Sequence, residues 1–296
     1  PKPRRYTREF IWEKSKRLVL PDKQQYDAIW KEFTSDPQVL EDLNSLKSLI
    51  ETSPGAQVAS VHQVNPGTFQ RASSFSLNRR NRVWKPWQSS FTILDESTQE
   101  EFDGVPVSSL DQLYLQGSLL QHVLQAKANG IALTCNGLFL SRSQDDQKHY
   151  IPYAQALEDP RLASAIVNPG VKSIDRSIEK VIRCYKNDVS RLVDVCRSCI
   201  AVENVRDMHR CLEMVWRDPE LVVMRIKNRM DPVYDSWSSL GYRDVCINLR
   251  ICTEGTRIDG IDMHVCELQL ILVKFAMVKC EAGHSRYRHF RNLRAE

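Results

Sequence analysis

The sequence has no long uninterrupted apolar run and only a slight excess of charge of one sign. No hydrophobic segment approaches the roughly 18 residues that a membrane-spanning helix requires, so we expect no membrane partner. The 296 residues carry 41 Lys and Arg against 37 Asp and Glu, a formal net charge of +4 at pH 7. This balance argues against a surface that coats nucleic acid throughout and favours local anion-binding patches.

No secretory signal peptide is recognisable, and the nine cysteines are scattered through apolar stretches. These two features predict reduced core thiols and a cytoplasmic, reducing compartment. The composition, 42% hydrophobic and 26% charged, is typical of a globular protein with a sizeable core.

Apolar periodicity and composition divide the chain into four predicted parts. They are an N-terminal helical segment (1–52), a linker or long loop rich in small and polar residues (53–90), a helical flanking region (91–169) and a C-terminal domain (170–296). Asp36-Pro37 is expected to separate two short helices over 22–50, and further helices are predicted over 108–129, 153–167 and 173–186.

From residue 192 the apolar spacing shortens towards two, which favours strands. The predicted β-α-β-β-β-α order comprises a strand (192–202), a helix (205–218), three strands (221–228, 242–251 and 263–272) and a final helix (273–290). We therefore predict an α+β fold: a small mixed β-sheet with flanking helices, preceded by a mainly helical N-terminal region.

Two acids in these strands form the main candidate site. Asp194 lies near the start of the first strand, and Glu267 shares one face of the last strand with Gln269 because side chains alternate along a strand. If the strands are neighbours, the two carboxylates can hold one divalent ion, as phosphoryl-transfer sites require. The alternative is that each acid is solvated or ion-paired.

Cations accompany this pair of acids. Lys180 and Arg183 lie three residues apart on the helix predicted before the first strand, a spacing that can clamp a triphosphate or simply form a solvated face. Residues 79–88 and 284–294 alternate cations with aromatics and make RNA a second candidate partner. The second segment is also explained as the cationic end of the final helix.

Five motifs follow one another over about residues 170–290: a basic helix opening with VKS, then DVCR, RIKNR, GYRDV and ELQL. In this order they resemble the synthetase domain of the RelA/SpoT alarmone synthetases, with GYRD where that family more often has GYQS. The resemblance implies a nucleotidyltransferase-like fold. It also implies Mg²⁺-dependent transfer of pyrophosphate from ATP to a ribose hydroxyl of a purine nucleotide, such as GDP or GTP, or of an RNA.

The resemblance also implies roles for single residues. Asp194 corresponds to the Mg²⁺ ligand, and Glu267 to the acid that binds the metal or activates the attacking hydroxyl. Gln269 corresponds to a residue that orients the acceptor, and Tyr242 to the ring on which its base stacks. The alternative for Tyr242 is a half-buried ring that packs on the sheet.

The cations that the resemblance assigns to the donor phosphates are Lys172, Lys180, Arg183 and Lys227, and His284 corresponds to a later family histidine. The chain departs from the family at Gly170, where many members have Arg, and at Cys246, which replaces a motif His. No His-Asp dipeptide occurs, so nothing resembles the family's hydrolase domain. These departures keep a second class of function open, a catalytically degenerate module that binds a nucleotide or a protein.

Overall fold

The computed structural model describes residues 8–53, 58, 60–66, 91–95, 100–142, 148–278, 286 and 290. The helices are α1 (Arg8–Phe33), α2 (Pro37–Glu51), α3 (Leu110–Thr134), α4 (Tyr153–Glu158), α5 (Pro160–Ala165), α6 (Ile174–Tyr185), α7 (Val205–Arg217), α8 (Glu254–Ile258) and α9 (Val273–Val278). The strands are β1 (Val64–Pro66), β2 (Phe91–Asp95), β3 (Glu100–Pro106), β4 (Leu138–Ser141), β5 (His149–Pro152), β6 (Arg197–Val202), β7 (Leu221–Asn228), β8 (Val245–Ile251) and β9 (Cys266–Leu272).

The main sheet has six strands in the order β5-β4-β6-β9-β8-β7. β6 and β9 are parallel and the other neighbours are antiparallel, so the sheet is mixed. β1, β3 and β2 form a separate antiparallel sheet. The predicted α+β class, with a mixed sheet and flanking helices, is confirmed.

One face of the main sheet packs into the largest hydrophobic cluster. The register aligns Ile226, Ile247 and Leu268 across β7, β8 and β9, and all three are buried. Met208 and Leu212 of α7 belong to the same cluster, because α7 is amphipathic and turns its apolar side to the sheet. This packing fixes the strands that carry the polar side chains on the opposite face.

Several predicted element boundaries differ from the structure. The helix predicted over 153–167 is divided into α4 and α5, and the strands predicted from residues 242 and 263 begin at Val245 and Cys266. The break at Asp36-Pro37 is confirmed, with the Asp36 side chain capping α2, but α1 starts at Arg8. The first predicted strand starts at Arg197 rather than at residue 192. The preceding apolar residues Val193 and Val195 pack into small separate clusters and form no ladder, so Asp194 lies in a loop.

The predicted four-part division also differs from the observed arrangement. Strand β1 lies within the predicted linker, and the predicted helical flanking region contains strands β2 to β5. Because β4 pairs with β6, the main sheet crosses the boundary predicted at residue 170. β4 and β5 have four residues each, too few for a clear alternating pattern.

Across the described part of the chain, no helix is long and apolar enough to cross a membrane. The eight cysteines that the structure describes are free thiols.

Candidate functional site

The face of the main sheet opposite the core carries two rows of mostly polar side chains. Strand register places them across β7, β8, β9 and β6 in that order, since residues paired across a ladder share a face. The rows are Arg225, Asn248, Glu267 and Arg197, and then Lys227, Cys246, Gln269 and Cys199. We call these eight residues the polar face.

Asp194 lies next to this face, in the loop before β6, and is 8% exposed. Its Oδ2 atom accepts hydrogen bonds from Lys172 Nζ at 2.5 Å and from Lys180 Nζ at 2.8 Å. Its Oδ1 atom is buried and has no hydrogen-bond partner among the described residues. Burial raises the pKa of Asp194, but the two lysines outweigh that effect and hold it well below its usual range.

The two lysines reach Asp194 from different elements. Lys180 projects from α6, and the loop before α6 is fixed by a hydrogen bond from the Lys172 N–H to the Val195 carbonyl at 3.0 Å. Burial lowers the pKa of Lys172 to about 8, although Asp194 and Glu267 oppose the shift. For Lys180 burial also lowers the pKa, but the negative charges of Asp194 and Glu267 help to raise it above the usual value. Both acids therefore act on both lysines, and the four groups form one electrostatic cluster.

Glu267 is oriented by contacts to both carboxylate oxygens. Cys246 Sγ donates to Oε2 at 3.2 Å, and Gln269 Nε2 donates to Oε1 at 3.0 Å. Burial raises the pKa of the Cys246 thiol well above its usual value, so the thiol keeps its proton and stays a donor. The backbone N–H of Glu267 donates to the Cys196 carbonyl at 2.9 Å, two residues after Asp194 along the chain. The two predicted acids are thus brought to the same end of neighbouring parallel strands.

Cations outnumber acids in the set formed by this cluster, the polar face and the ion pair of Arg229 with Asp244. The cations are Lys172, Lys180, Arg197, Arg225, Lys227 and Arg229, and the acids are Asp194, Glu267 and Asp244. The Lys227 side chain is exposed. Partial desolvation of its amine and the cationic neighbours Arg225 and Arg229 nevertheless lower its pKa to about 8. This excess of positive charge suits a polyanion such as a triphosphate.

The structure does not bring every predicted residue to this cluster. Arg183 pairs with Glu179 one turn earlier on α6, at 2.6 Å, whereas Lys180 faces Asp194. His284 lies outside the described residues, as do both predicted RNA-binding segments apart from Arg286 and Phe290.

Tyr242 is half-buried and packs against the main hydrophobic cluster. Its ring meets Tyr26 of α1 edge to face, with centroids 6.2 Å apart. Gly241 has φ +85°, and a Cβ there would lie 2.6 Å from Tyr26 Cβ, so the glycine before the tyrosine is required by the close approach of α1. This placement matches the packing alternative for Tyr242, and base stacking stays a prediction.

The Arg-Asp pair that follows Tyr242 organises the loop before β8. Arg243 donates to the carbonyls of Arg229 and Asp231, both at 2.9 Å, and its guanidinium lies 3.7 Å from the Trp30 ring centroid. Asp244, fully buried, forms an ion pair with Arg229. The pair thereby fixes the chain that leads into the polar face.

Sequence reasoning assigned no site role to four members of the polar face: Arg225, Asn248, Arg197 and Cys199. Asn248 accepts hydrogen bonds from Arg225 Nε at 3.0 Å and Nη2 at 2.6 Å, and its Nδ2 lies 3.5 Å from the Val193 carbonyl beside Asp194. The signal was present: Arg225 and Lys227 alternate in RIKNR, and Asn248 and Arg250 alternate with apolar residues in VCINLRI.

The described residues contain no group of three or more His, Cys, Asp or Glu side chains suited to a metal ion. Mg²⁺ does not need one, because it is usually bound by one or two carboxylates together with substrate phosphates and water. The buried Oδ1 of Asp194, which has no hydrogen-bond partner among the described residues, and the carboxylate of Glu267, which acts on the same two lysines, fit that requirement.

No protein-family model and no curated protein sequence matches this chain. Among solved structures, the crystal structure of the complex between the Type VI effector Tas1 and its immunity protein is similar to it with a TM-score of 0.35. The two chains are 15% identical, and the match covers 60% of this chain and 74% of that one. A similarity this low decides neither family nor function.

Proposed function

We propose that this chain is a Mg²⁺-dependent, RelA/SpoT-like pyrophosphotransferase with a nucleotidyltransferase-like topology. It would move pyrophosphate from ATP to a ribose hydroxyl of a purine nucleotide or of an RNA. The observation that carries the proposal is the cluster of Asp194, Glu267, Lys172 and Lys180 at the edge of a cationic sheet face. Phosphoryl-type transfer depends on such an arrangement because catalysis is mostly positioning and charge neutralisation.

The donor triphosphate would bind the lysines of the cluster together with Lys227. In the described structure Lys172 and Lys180 share one oxygen of Asp194, so an arriving phosphate would take over part of that pairing. Since phosphate contacts require protonated amines, the pKa values near 8 of Lys172 and Lys227 make donor binding weaken as pH rises above about 8.

Mg²⁺ bound by Asp194 and Glu267 would supply neutralisation of the charge on the transferring phosphates. In the transfer, the acceptor hydroxyl oxygen forms a bond to the β-phosphorus, and the bond from that phosphorus to the oxygen bridging the α-phosphate breaks. AMP leaves with the bridging oxygen. Glu267 accepts the hydroxyl proton, and Gln269 and Cys246 hold its carboxylate in place.

The test is incubation of the full chain with Mg²⁺, ATP labelled in the β-phosphate, and a panel of purine nucleotides and total tRNA. A labelled product that carries the pyrophosphate is expected, and Glu267→Gln should reduce it by at least a hundredfold. Glu213→Gln, on the partly exposed side of α7, is the matched control and should leave the rate unchanged. Wild-type protein that labels no acceptor would refute the proposal.

A second candidate is a nucleotide- or protein-binding module without turnover. It is favoured by the internal pairing of Asp194 with two lysines and by the inward packing of Tyr242. Calorimetric titration with a non-hydrolysable ATP analogue separates the two: a binding module takes up the analogue equally with and without Mg²⁺, whereas the transferase requires the metal for tight binding.

A further inference from the structure

Gln63 belongs to the segment that the sequence predicts as a linker, yet it is fully buried. Its side-chain Nε2 donates to the carbonyls of Leu192 at 3.2 Å and of Val265 at 2.8 Å, and its Oε1 accepts from the Val265 N–H at 2.7 Å. The side chain therefore uses both amide hydrogens and its oxygen. Only an amide of this length supplies two donors and one acceptor here.

The backbone around Gln63 is fixed as well. The Gln63 N–H donates to the Ser190 carbonyl at 2.6 Å, and its carbonyl accepts from the Val107 N–H at 3.0 Å. Val61 packs with Val193 and Val265 in a small buried cluster. Residues 61–63 thus fill the space between the loops that lead into β6 and β9.

The first of these loops carries Asp194, and the second leads into β9, whose second residue is Glu267. Leu192 lies two residues before Asp194, and Val265 lies two residues before Glu267. The β6–β9 ladder begins at the pair Arg197 and Glu267, so it does not extend to Asp194. The Gln63 side chain hydrogen-bonds to both loops.

We propose that Gln63 is a positioning residue that sets the separation between the Asp194 loop and the loop that leads into β9 and Glu267. Its effect on catalysis rests on the proposed function, whereas its effect on the loops does not. Loss of the side chain leaves two buried carbonyls and one buried N–H without partners, which favours opening of the loops. The acids then lose their common geometry, whereas the phosphate-binding candidates Lys180 and Lys227 keep their places on α6 and β7.

The test compares Gln63→Leu, which keeps the volume and removes all three side-chain hydrogen bonds, with Gln125→Leu. Gln125 is the matched control because it is a part-buried amide that accepts a hydrogen bond from Ser198 of β6 and, in the described structure, forms no hydrogen bond to the β9 loop. For Gln63→Leu we expect amide hydrogen exchange of residues 192–196 and 264–266 to accelerate at least tenfold while exchange in β8 is unchanged. We also expect kcat to fall 10- to 100-fold with the KM for ATP within about threefold of wild type. The control should show neither effect.

Gln63→Glu supplies an independent check if the leucine variant folds poorly. A protonated carboxyl can donate to one carbonyl and accept from Val265, but a carboxylate cannot donate. After correction for the base-catalysed rise in exchange that every amide shows, the protection of both loops should therefore fall as pH rises in this variant alone. Exchange that stays slow in both loops would overturn the proposal, as would acceleration spread equally over all strands. If the wild type shows no turnover, the proposed function fails and the exchange data still decide the role of Gln63.

Discussion

The two faces of the main sheet are built from the same strands but differ in the side chains that they carry and in what those side chains contact. On one face Ile226, Ile247 and Leu268 are buried among apolar side chains. One residue earlier or later along each strand, Arg225, Asn248 and Glu267 form a polar row. Hydrophobic burial accounts for the side chains on the first face. It does not account for the charged side chains on the polar face, because a desolvated charge is tolerated only when it is paired. Clusters of perturbed charges are typical of functional sites, so the polar face is the candidate site.

The largest effect is expected from removing the two ion pairs that Asp194 forms with Lys172 and Lys180 beside the polar face. Asp194→Ala should lower the free energy of unfolding by about 3–5 kcal/mol, because Lys172 and Lys180 would be left buried without a counter-charge. Chemical denaturation at pH 7 measures it. The loss should shrink at pH 10, where the freed lysines can be neutral.

Asp218→Asn is the control for that prediction. Asp218 pairs with Lys127 at 2.7 Å, but its side chain is 22% exposed and Glu220 remains as a second partner. We expect a loss of about 1 kcal/mol or less. If both substitutions lowered the free energy of unfolding equally, the ion pairs of Asp194 would contribute no more to stability than an ordinary surface ion pair.

On the apolar face, Leu268→Ala should cost about 2–5 kcal/mol by creating a cavity next to Ile247. Gln269→Ala, the next residue on β9, should cost about 1 kcal/mol or less since its side chain is half-buried. Turnover should show the reverse order, with Gln269→Ala the more damaging once both proteins are folded. Denaturation curves and rates on the pair test whether the two faces are separate in function.

His264 is a buried polar group that, unlike Asp194, has no charged partner. It is 1% exposed, its Nδ1 lies 3.2 Å from Gln116 Oε1, and burial lowers its pKa to about 4. The unfolded chain binds the proton near the usual pKa of 6.5, so stability is complete above that pH and is lost as pH falls from about 6.5 to about 4. The loss amounts to about 3 kcal/mol at most.

Thermal or chemical denaturation across that pH range measures this loss. His264→Gln should flatten that part of the stability profile, whereas His122→Gln, at an exposed position on α3, should leave it unchanged. A profile that keeps its slope in His264→Gln would assign the loss to other groups.

The sequence predicted the secondary-structure elements, which depend on the local spacing of apolar residues, and missed the side-chain contacts between residues far apart in the chain. The β-α-β-β-β-α order and the helix break at Asp36-Pro37 follow from alternation and capping within a few residues. The pairing of Lys172 with Asp194 spans 22 residues and that of Gln63 with Val265 spans 202, so no local pattern contains them. Asn248 was visible as a polar residue between the apolar Ile247 and Leu249, but its partner Arg225 is defined only by strand register.

Substitutions of Tyr242 test whether its ring belongs to the acceptor site or to the hydrophobic core. Stacking of a base contributes about 1–3 kcal/mol, so if the ring binds the acceptor, Tyr242→Ala should weaken acceptor use about 10- to 100-fold and leave ATP binding nearly intact. Tyr242→Phe should be much milder because the ring face is retained. An early-melting Tyr242→Ala protein that loses acceptor and ATP binding together would assign the ring, already in contact with Tyr26, to the core.

The smallest effect is expected at Lys227, the exposed cation of the polar face. Lys227→Met should leave the melting temperature unchanged, because no hydrogen bond or ion pair to this side chain occurs within the described part of the chain. It should nevertheless weaken binding of a non-hydrolysable ATP analogue about 3- to 10-fold at pH 7, since one phosphate contact is lost.

For the wild type, affinity for the ATP analogue should fall between pH 7.5 and 9 as Lys227 and Lys172, both with a pKa near 8, lose their protons, and Lys227→Met should show a shallower fall. Lys31→Met on the exposed side of α1 is the matched control and should bind the analogue like the wild type. Equal affinity of Lys227→Met and Lys31→Met at every pH would remove β7 from the donor site and confine phosphate binding to the lysines around Asp194.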